Sequence, residues 1–427
     1  MIELLAGLAF FALILLSVAL HEIGHMVPAK IFGVRVPEYF VGFGRRIWST
    51  HRGETEYGVK WIPLGGYVRL LGMYPPADPE HRRSSRLTAI ADGARAVEWQ
   101  QITDADVAGG RLLYQKKTWQ KLLVMAGGPA MNLLIAFAVF WAITGLHGAY
   151  RPQLEIARIQ ECIIAADAGR TTCTDTDPKT PAALAGLQAG DRVVAFNDHQ
   201  VTAWSQFSAL IRQNQDGEAR LIVDRAGTRV ELTPVHTIVQ LVPNEMDPST
   251  RVPAGWLGVS PVQELVKGGP VDVVADMWTM SVQSLTVLVQ FPIKVFNVVA
   301  DLVTGKPRDI YGPLSILGAS RMAGEIAATD QLDPGERVVV FGSLLGSLNL
   351  FLALFNLIPL PPLDGGHIAG ALYEGARRQL ARLFGRPDPG YFDTARLLPL
   401  AYGVAAFLIV SGVALILADI LSPIQLF

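Results

Sequence analysis

The chain has 427 residues, 50% of them hydrophobic and only 17% charged, with a formal net charge of −2 and a mean hydropathy of +0.32. Soluble domains carry roughly a quarter charged residues, so the deficit points to membrane segments. The near-neutral balance gives no reason to expect a nucleic-acid partner.

In chain order, the first apolar run covers 2–27, broken by Glu3 and by a polar cluster near its end. It is long enough to cross a bilayer core, which takes roughly 18 to 20 residues. A cleaved export signal needs a basic leader and a small-residue cleavage site. Here Glu3 is the only charge ahead of the run, and His21-Glu22-Ile23-Gly24-His25 follows, so 1–28 reads as a retained span. The loop 29–118 is basic around both ends, with Lys30, Arg35, Arg45 and Arg46 at one and Lys116, Lys117 and Lys121 at the other. A second span falls in 119–148. The long segment after it, 149–265 and then 266–336, is acid-rich. Within it 277–303 is apolar but carries Gln283, Gln290, Pro292, Lys294, Asn297 and Asp301. That pattern predicts an amphipathic helix lying in the membrane interface. The third span falls in 337–374 and the last in 396–427, separated by 375–395 with Arg377, Arg378, Arg382 and Arg386.

Basic loops stay cytosolic, so 29–118 and 375–395 are assigned to the cytosol, and 149–336 and both termini to the outside. The expected fold is a polytopic α-helical membrane protein of the inner (plasma) membrane with four transmembrane helices. Cys162 and Cys173 are the two cysteines, and both lie in the segment assigned outside. An oxidising compartment favours a disulfide between them, although two free thiols remain compatible with the sequence.

The stretch from His21 to His25 is HExxH. Residues four apart share a helix face, so both imidazoles can reach one metal with Glu22 beside them. Ionisable groups inside a span are costly and usually functional, which argues against an idle role as polar lining. Zinc in a catalytic site takes three protein ligands and leaves a fourth position for water. Asp364 is the candidate third ligand. It follows the apolar run 338–360 and a turn containing Pro359, Pro361 and Pro362, which places it at the same cytosolic end as His21 and His25. His367, one turn further on, reads as packing or support.

HExxH in the first span, Asn356-Leu-Ile-Pro359-Leu-Pro361-Pro362-Leu-Asp364-Gly in the third, and four spans in all resemble the bacterial site-2 proteases of the regulator-of-sigma-E type. Gly42-Phe43-Gly44, Thr55-Glu56-Tyr57, Pro63-Leu64-Gly65-Gly66-Tyr67 and Gly127-Gly128-Pro129 with Asn132 are similar to that family too. The resemblance implies one Zn2+ per chain held by His21, His25 and Asp364, with Glu22 as general base. It implies that Asn356, with Pro359 and Pro361 of the same motif, engages substrate. It further implies a membrane-associated β-hairpin over about 55–72 that receives an unwound substrate as an added strand. The implied substrate is a single-span membrane protein already trimmed outside, such as an anti-sigma factor, with leftover signal peptides a further class.

The outside segment has its own pattern. Pro181-Ala-Ala-Leu-Ala-Gly186-Leu-Gln-Ala-Gly190-Asp191, followed by Val201 and Trp204, resembles a bacterial PDZ domain, mainly β, spanning 149–265. Gly255, Trp256, Leu257, Gly258 and Val259 resemble its carboxylate-binding loop, placed after the core rather than before it. Such a domain could exclude bulky substrates or capture a new C-terminus, and the residues favour neither. Two other classes compete with the intramembrane protease. One is a membrane-anchored metalloprotease working in water, for which 30–118 offers no third-ligand motif. The other is a non-proteolytic zinc-containing PDZ scaffold, against which the intact Glu22 argues.

Overall fold

The computed structural model describes residues 1–76, 86–164, 170, 172–244, 246 and 250–424. These form two compact units, one built from 1–142 and 273–427 and the other from 143–272.

The first unit opens with α1 (Ile2–Ile31), an unbroken apolar helix of 30 residues. At ~1.5 Å per residue it is about 45 Å long, more than a bilayer core requires. The chain then runs through β1 (Glu38–Arg52) and β2 (Thr55–Arg69). Both strands fold back on themselves, so that 38–41 pair with 56–59 on one side and 66–69 on the other. Gly42 sits at the bend with φ +89°, and a side chain there would strike the Ile62 carbonyl. The hairpin thus starts well before the stretch 55–72 suggested by the sequence, which captured only its second strand. Next come α2 (Arg86–Trp99), α3 (Asp104–Ala108) and α4 (Thr118–Leu146). Helices α1 and α4 approach at Gly24 and Gly127, where a Cβ on either would lie 2.0–2.2 Å from the other's carbonyl oxygen.

The second unit is mainly β. It contains β3 (Ala149–Ile159), α5 (Pro181–Ala185), β4 (Arg192–Phe196), β5 (His199–Gln200), α6 (Trp204–Asn214), β6 (Glu218–Ala219), β7 (Leu221–Arg225), β8 (Thr228–Glu231), β9 (Val235–His236), β10 (Ile238–Pro243), β11 (Arg251–Trp256) and β12 (Val259–Val266). Its main sheet runs β12-β3-β4-β7-β8, with β10 and β11 as a separate hairpin. Ile156, Phe196, Phe207, Leu221, Val223 and Leu257 are fully buried at its centre. The helix α5 forms because Thr180 caps Ala183 N–H and Pro181 occupies the first helical position, where its missing N–H costs nothing. Cys162 and Cys173 are joined by a disulfide.

The first unit resumes with α7 (Pro270–Thr304), α8 (Ile316–Ala328), α9 (Pro334–Asn356), α10 (Asp364–Leu383) and α11 (Leu398–Leu421). The residues read from sequence as one span, 337–374, are therefore two helices. The prolines at 359, 361 and 362 cannot continue α9, and α10 starts afresh at Asp364. Helix α8 packs along α1 through Ala319 and Ala323 against Phe10 and Ile14. The region expected to be amphipathic, 277–303, lies within α7, whose Val295 and Val298 pack on Leu415 and Ala418 of α11. Among the described residues, five helices are long and apolar enough to cross a membrane: α1, α4, α7, α9 and the segment 394–421 containing α11. The chain is a helical membrane-type protein with β regions.

Candidate metal centre

Helix α1 carries His21 and His25 one turn apart, both buried. The restart of α10 brings Asp364 to them across 339 residues of chain (364 minus 25). His21 Nε2 and His25 Nε2 lie 3.2 Å apart, and each is 3.3 Å from Asp364 Oδ2. A tetrahedral zinc with bonds of ~2.0–2.1 Å sets its ligand atoms about 3.3 Å apart, so the three donors already have the required spacing. Asp364 Oδ2 is buried without a hydrogen-bond partner among the described residues, which suits an atom that binds a cation. Gly128 of α4 faces the same space, where an added Cβ would lie 2.2 Å from His25 Nε2 and 2.6 Å from His21 Nε2. The residues fit a metal ion.

The support around the ligands is uneven. His25 Nδ1 donates to the Val124 carbonyl at 2.8 Å, which leaves Nε2 as the free lone pair. Glu22 lines the cavity beside the donors, and Val68 of β2 belongs to the same wall. Gly66, two residues earlier in the same strand, also lies against Glu22. The outer strand of the hairpin, 66–69, which pairs only with 38–41 among the described residues, therefore runs past Glu22.

The cavity measures about 560 Å³ and holds His21, Glu22, His25, Asn356, Asp364 and His367 together. His367 contributes to the wall and is not one of the three converging donors. Asn356 is turned partly back on its own helix, its Nδ2 donating to the Leu352 carbonyl. Pro359 is absent from the lining, and Pro361 borders an adjoining cavity with Tyr74 and Leu398. Gly255, Trp256, Leu257, Gly258 and Val259 belong to the other unit, at the turn from β11 to β12.

Much of the cavity wall escaped the sequence reading. Arg69, Met73 and Tyr74 leave β2 along it, α2 adds Ala94, Val97 and Glu98, and Gln101 follows just past the end of α2. Glu98 accepts the amides of Gly72 and Met73 at 2.8 Å and of Tyr74 at 3.1 Å. Burial pushes its carboxyl up, against the pull of those three amides. Arg95 anchors the same helix through both oxygens of Asp393. No motif marks α2, and its role depends on where it docks.

Two histidines and an aspartate around one point, with a free glutamate alongside, form the donor set of a mononuclear hydrolytic centre among membrane-type helices. Residues 9–385 match peptidase family M50, and the chain belongs to that family. It is 34% identical to the zinc metalloprotease Rip1 of Mycobacterium tuberculosis over 434 residues, covering 99% of this chain and 98% of the relative. The Rip1 of Mycolicibacterium smegmatis is 33% identical over the same shares of the two chains. The zinc metalloprotease RasP of Oceanobacillus iheyensis is 25% identical, over 86% of this chain and 90% of its own.

Proposed function

We propose that this chain is a zinc metalloendopeptidase of the site-2 type that cuts a single-span membrane protein within the bilayer, with His21, His25 and Asp364 as metal ligands. The observation that carries this reading is the triangle of donor atoms, 3.2–3.3 Å on each side, next to Glu22 on a helix long enough to span.

Zinc, when bound, polarises the scissile carbonyl and acidifies water. Glu22 takes the proton of the attacking water as its oxygen bonds to the carbonyl carbon, then passes it to the leaving nitrogen as the C–N bond breaks. A transmembrane helix hides its carbonyls in i to i−4 bonds and must unwind first. The free edge of β2 beside Glu22 offers the unwound segment a strand to pair with, recovering the backbone hydrogen bonds that lipid cannot supply. Asn356 lies in the same cavity and can receive a substrate amide there.

The second unit is read as a PDZ domain. In support, the Leu257 carbonyl accepts from Ala182 N–H, so the Gly258 N–H, trans across the same peptide plane, points the opposite way. An amide so presented suits a carboxylate. The substrate is a membrane protein already trimmed outside, such as an anti-sigma factor, with leftover signal peptides a second class. The active site lies towards the cytosolic face.

The test is a cleavage assay with a pre-trimmed single-span substrate, comparing the parent with Glu22→Gln. The variant should retain near-stoichiometric zinc and lose roughly 10²–10⁴-fold in cleavage rate, because an amide cannot act as base. Cleavage at the parental rate would sink the assignment.

A further inference from the structure

The two histidines of the centre are held differently. His25 donates its Nδ1 proton to Val124, whereas His21 Nδ1 is buried with no partner among the described residues. A metal-bound imidazole almost always donates that second N–H, because the bond fixes its tautomer and ring orientation. Some group must therefore receive it.

Helices α1 and α4 run antiparallel in a matched register. His25 meets Val124, Gly24 meets Gly127, and His21 meets Gly128. One more turn along both helices sets Ser17 level with Asn132. Ser17 is also tied to α9, since Asn349 Nδ2 donates to its Oγ at 3.2 Å and to the Leu345 carbonyl at 2.9 Å. Ser17, Asn132 and Asn349 are all buried, Asn349 completely. They lie deeper in the apolar helices than the metal ligands, where an unpaired polar group is costly. Yet Asn132 Oδ1 and Asn349 Oδ1 both lack partners among the described residues. Flipping the Asn349 amide offers no relief, because it would set Oδ1 against the Leu345 carbonyl oxygen.

Two orphan acceptors and one orphan donor match the valence of a single water. We propose that one buried water sits between α1, α4 and α9, accepts the His21 Nδ1 proton, and donates to Asn132 Oδ1 and Asn349 Oδ1. Three hydrogen bonds are what buried waters typically make. Asn132 and Asn349 are then positioning residues. They act through the water to hold the His21 ring with its Nε2 lone pair towards the metal. Ser17 acts one step further out by orienting the Asn349 amide.

This inference rests on the metal-site reading, and the test separates the two. Full-length protein in lipid nanodiscs is titrated with zinc against a chelator, and no cleavage is measured. Asn132→Leu and Asn349→Leu should each weaken zinc binding by roughly 10–100-fold, the usual cost of removing outer support from a ligating histidine. The double variant should bind no worse than the weaker single variant, since both lose the same water. Asn132→Ser, which keeps an acceptor and leaves room for the water, should stay near the parent. Parental affinity in the leucine variants overturns the proposal, as do losses that multiply in the double variant. A ¹⁵N-histidine spectrum of the zinc-loaded parent gives an answer independent of variant folding. It should show His21 protonated at Nδ1 in slow exchange, and an unprotonated Nδ1 also overturns it. If His21→Ala binds zinc like the parent, the metal-site reading itself falls.

Discussion

At the scale of single residues, the proposed centre depends as much on a missing side chain as on its three candidate ligands. His21, His25 and Asp364 can converge because Gly128 leaves the space in front of both Nε2 atoms open. Gly128→Ala should therefore lose zinc by about 100-fold or more, a larger effect than removing outer support around a histidine. Far-UV circular dichroism should remain that of the parent, since alanine suits a helix interior. Stoichiometric zinc in this variant would mean that the ligands move aside and the packing is looser than described. The HExxH spacing alone predicts which two histidines share a face. Nothing local to Gly128 reveals its part, because the contact belongs to the approach of α4 to α1.

At the scale of elements, the β-hairpin and α2 build the cavity wall, and α5 with β4 organises the second unit. Asp191 closes the turn between those last two. It is buried, accepts Gln188 N–H at 2.8 Å, and pairs with Arg225 at 2.7 Å. Burial pushes its carboxyl up, but the Arg225 guanidinium and the Gln188 amide outweigh that and leave it below the ordinary carboxylate range. A depressed folded value means that its stabilisation is full above the unfolded pKa of about 3.9 and is lost as pH falls through the folded value. Asp191→Asn should cost about 2 kcal/mol at neutral pH and remove this acid-dependent loss. Hydrogen exchange of peptides covering 186–196 reads both effects, and an unchanged pH profile would rule out Asp191 as their source. The AGLxxGD stretch made this turn legible, since its cap and glycine signals are local. The start of β1, 38–41, was not legible as the middle of a folded-back sheet, because its pairing partners lie 18 to 31 residues away (38 with 56 and with 69).

At the scale of the whole molecule, the proposed metal triangle constrains how the chain crosses the membrane. It puts the C-terminal end of α1 and the start of α10 on one side. With α1, α4 and α9 each crossing once, α7 must begin and end on the side from which α9 departs. Although long and apolar enough to span, α7 is thus predicted to make no net crossing, leaving four spans. Ile310 and Asp330 flank α8 and are exposed, and the two native cysteines are locked in a disulfide. Ile310→Cys and Asp330→Cys should both react with an impermeant thiol reagent added from outside. Reaction from the cytosol alone at both positions would overturn the four-span topology and the orientation with it.

The sequence by itself determined what is periodic or adjacent: the apolar runs, the histidine pair one turn apart, the proline break before Asp364, and the capped turn at Gly186. These depend on interactions within a few residues, and their rules are the same in any fold. Only the tertiary structure decided how Asp364 meets His21 and His25, that β2 passes Glu22, and that α2 walls the cavity. It also decided that Gly128 leaves space before the two histidines, and that Asn132 and Asn349 bury oxygens with no partner among the described residues. Those outcomes depend on helices distant in the chain packing at one register, and no single segment contains that information.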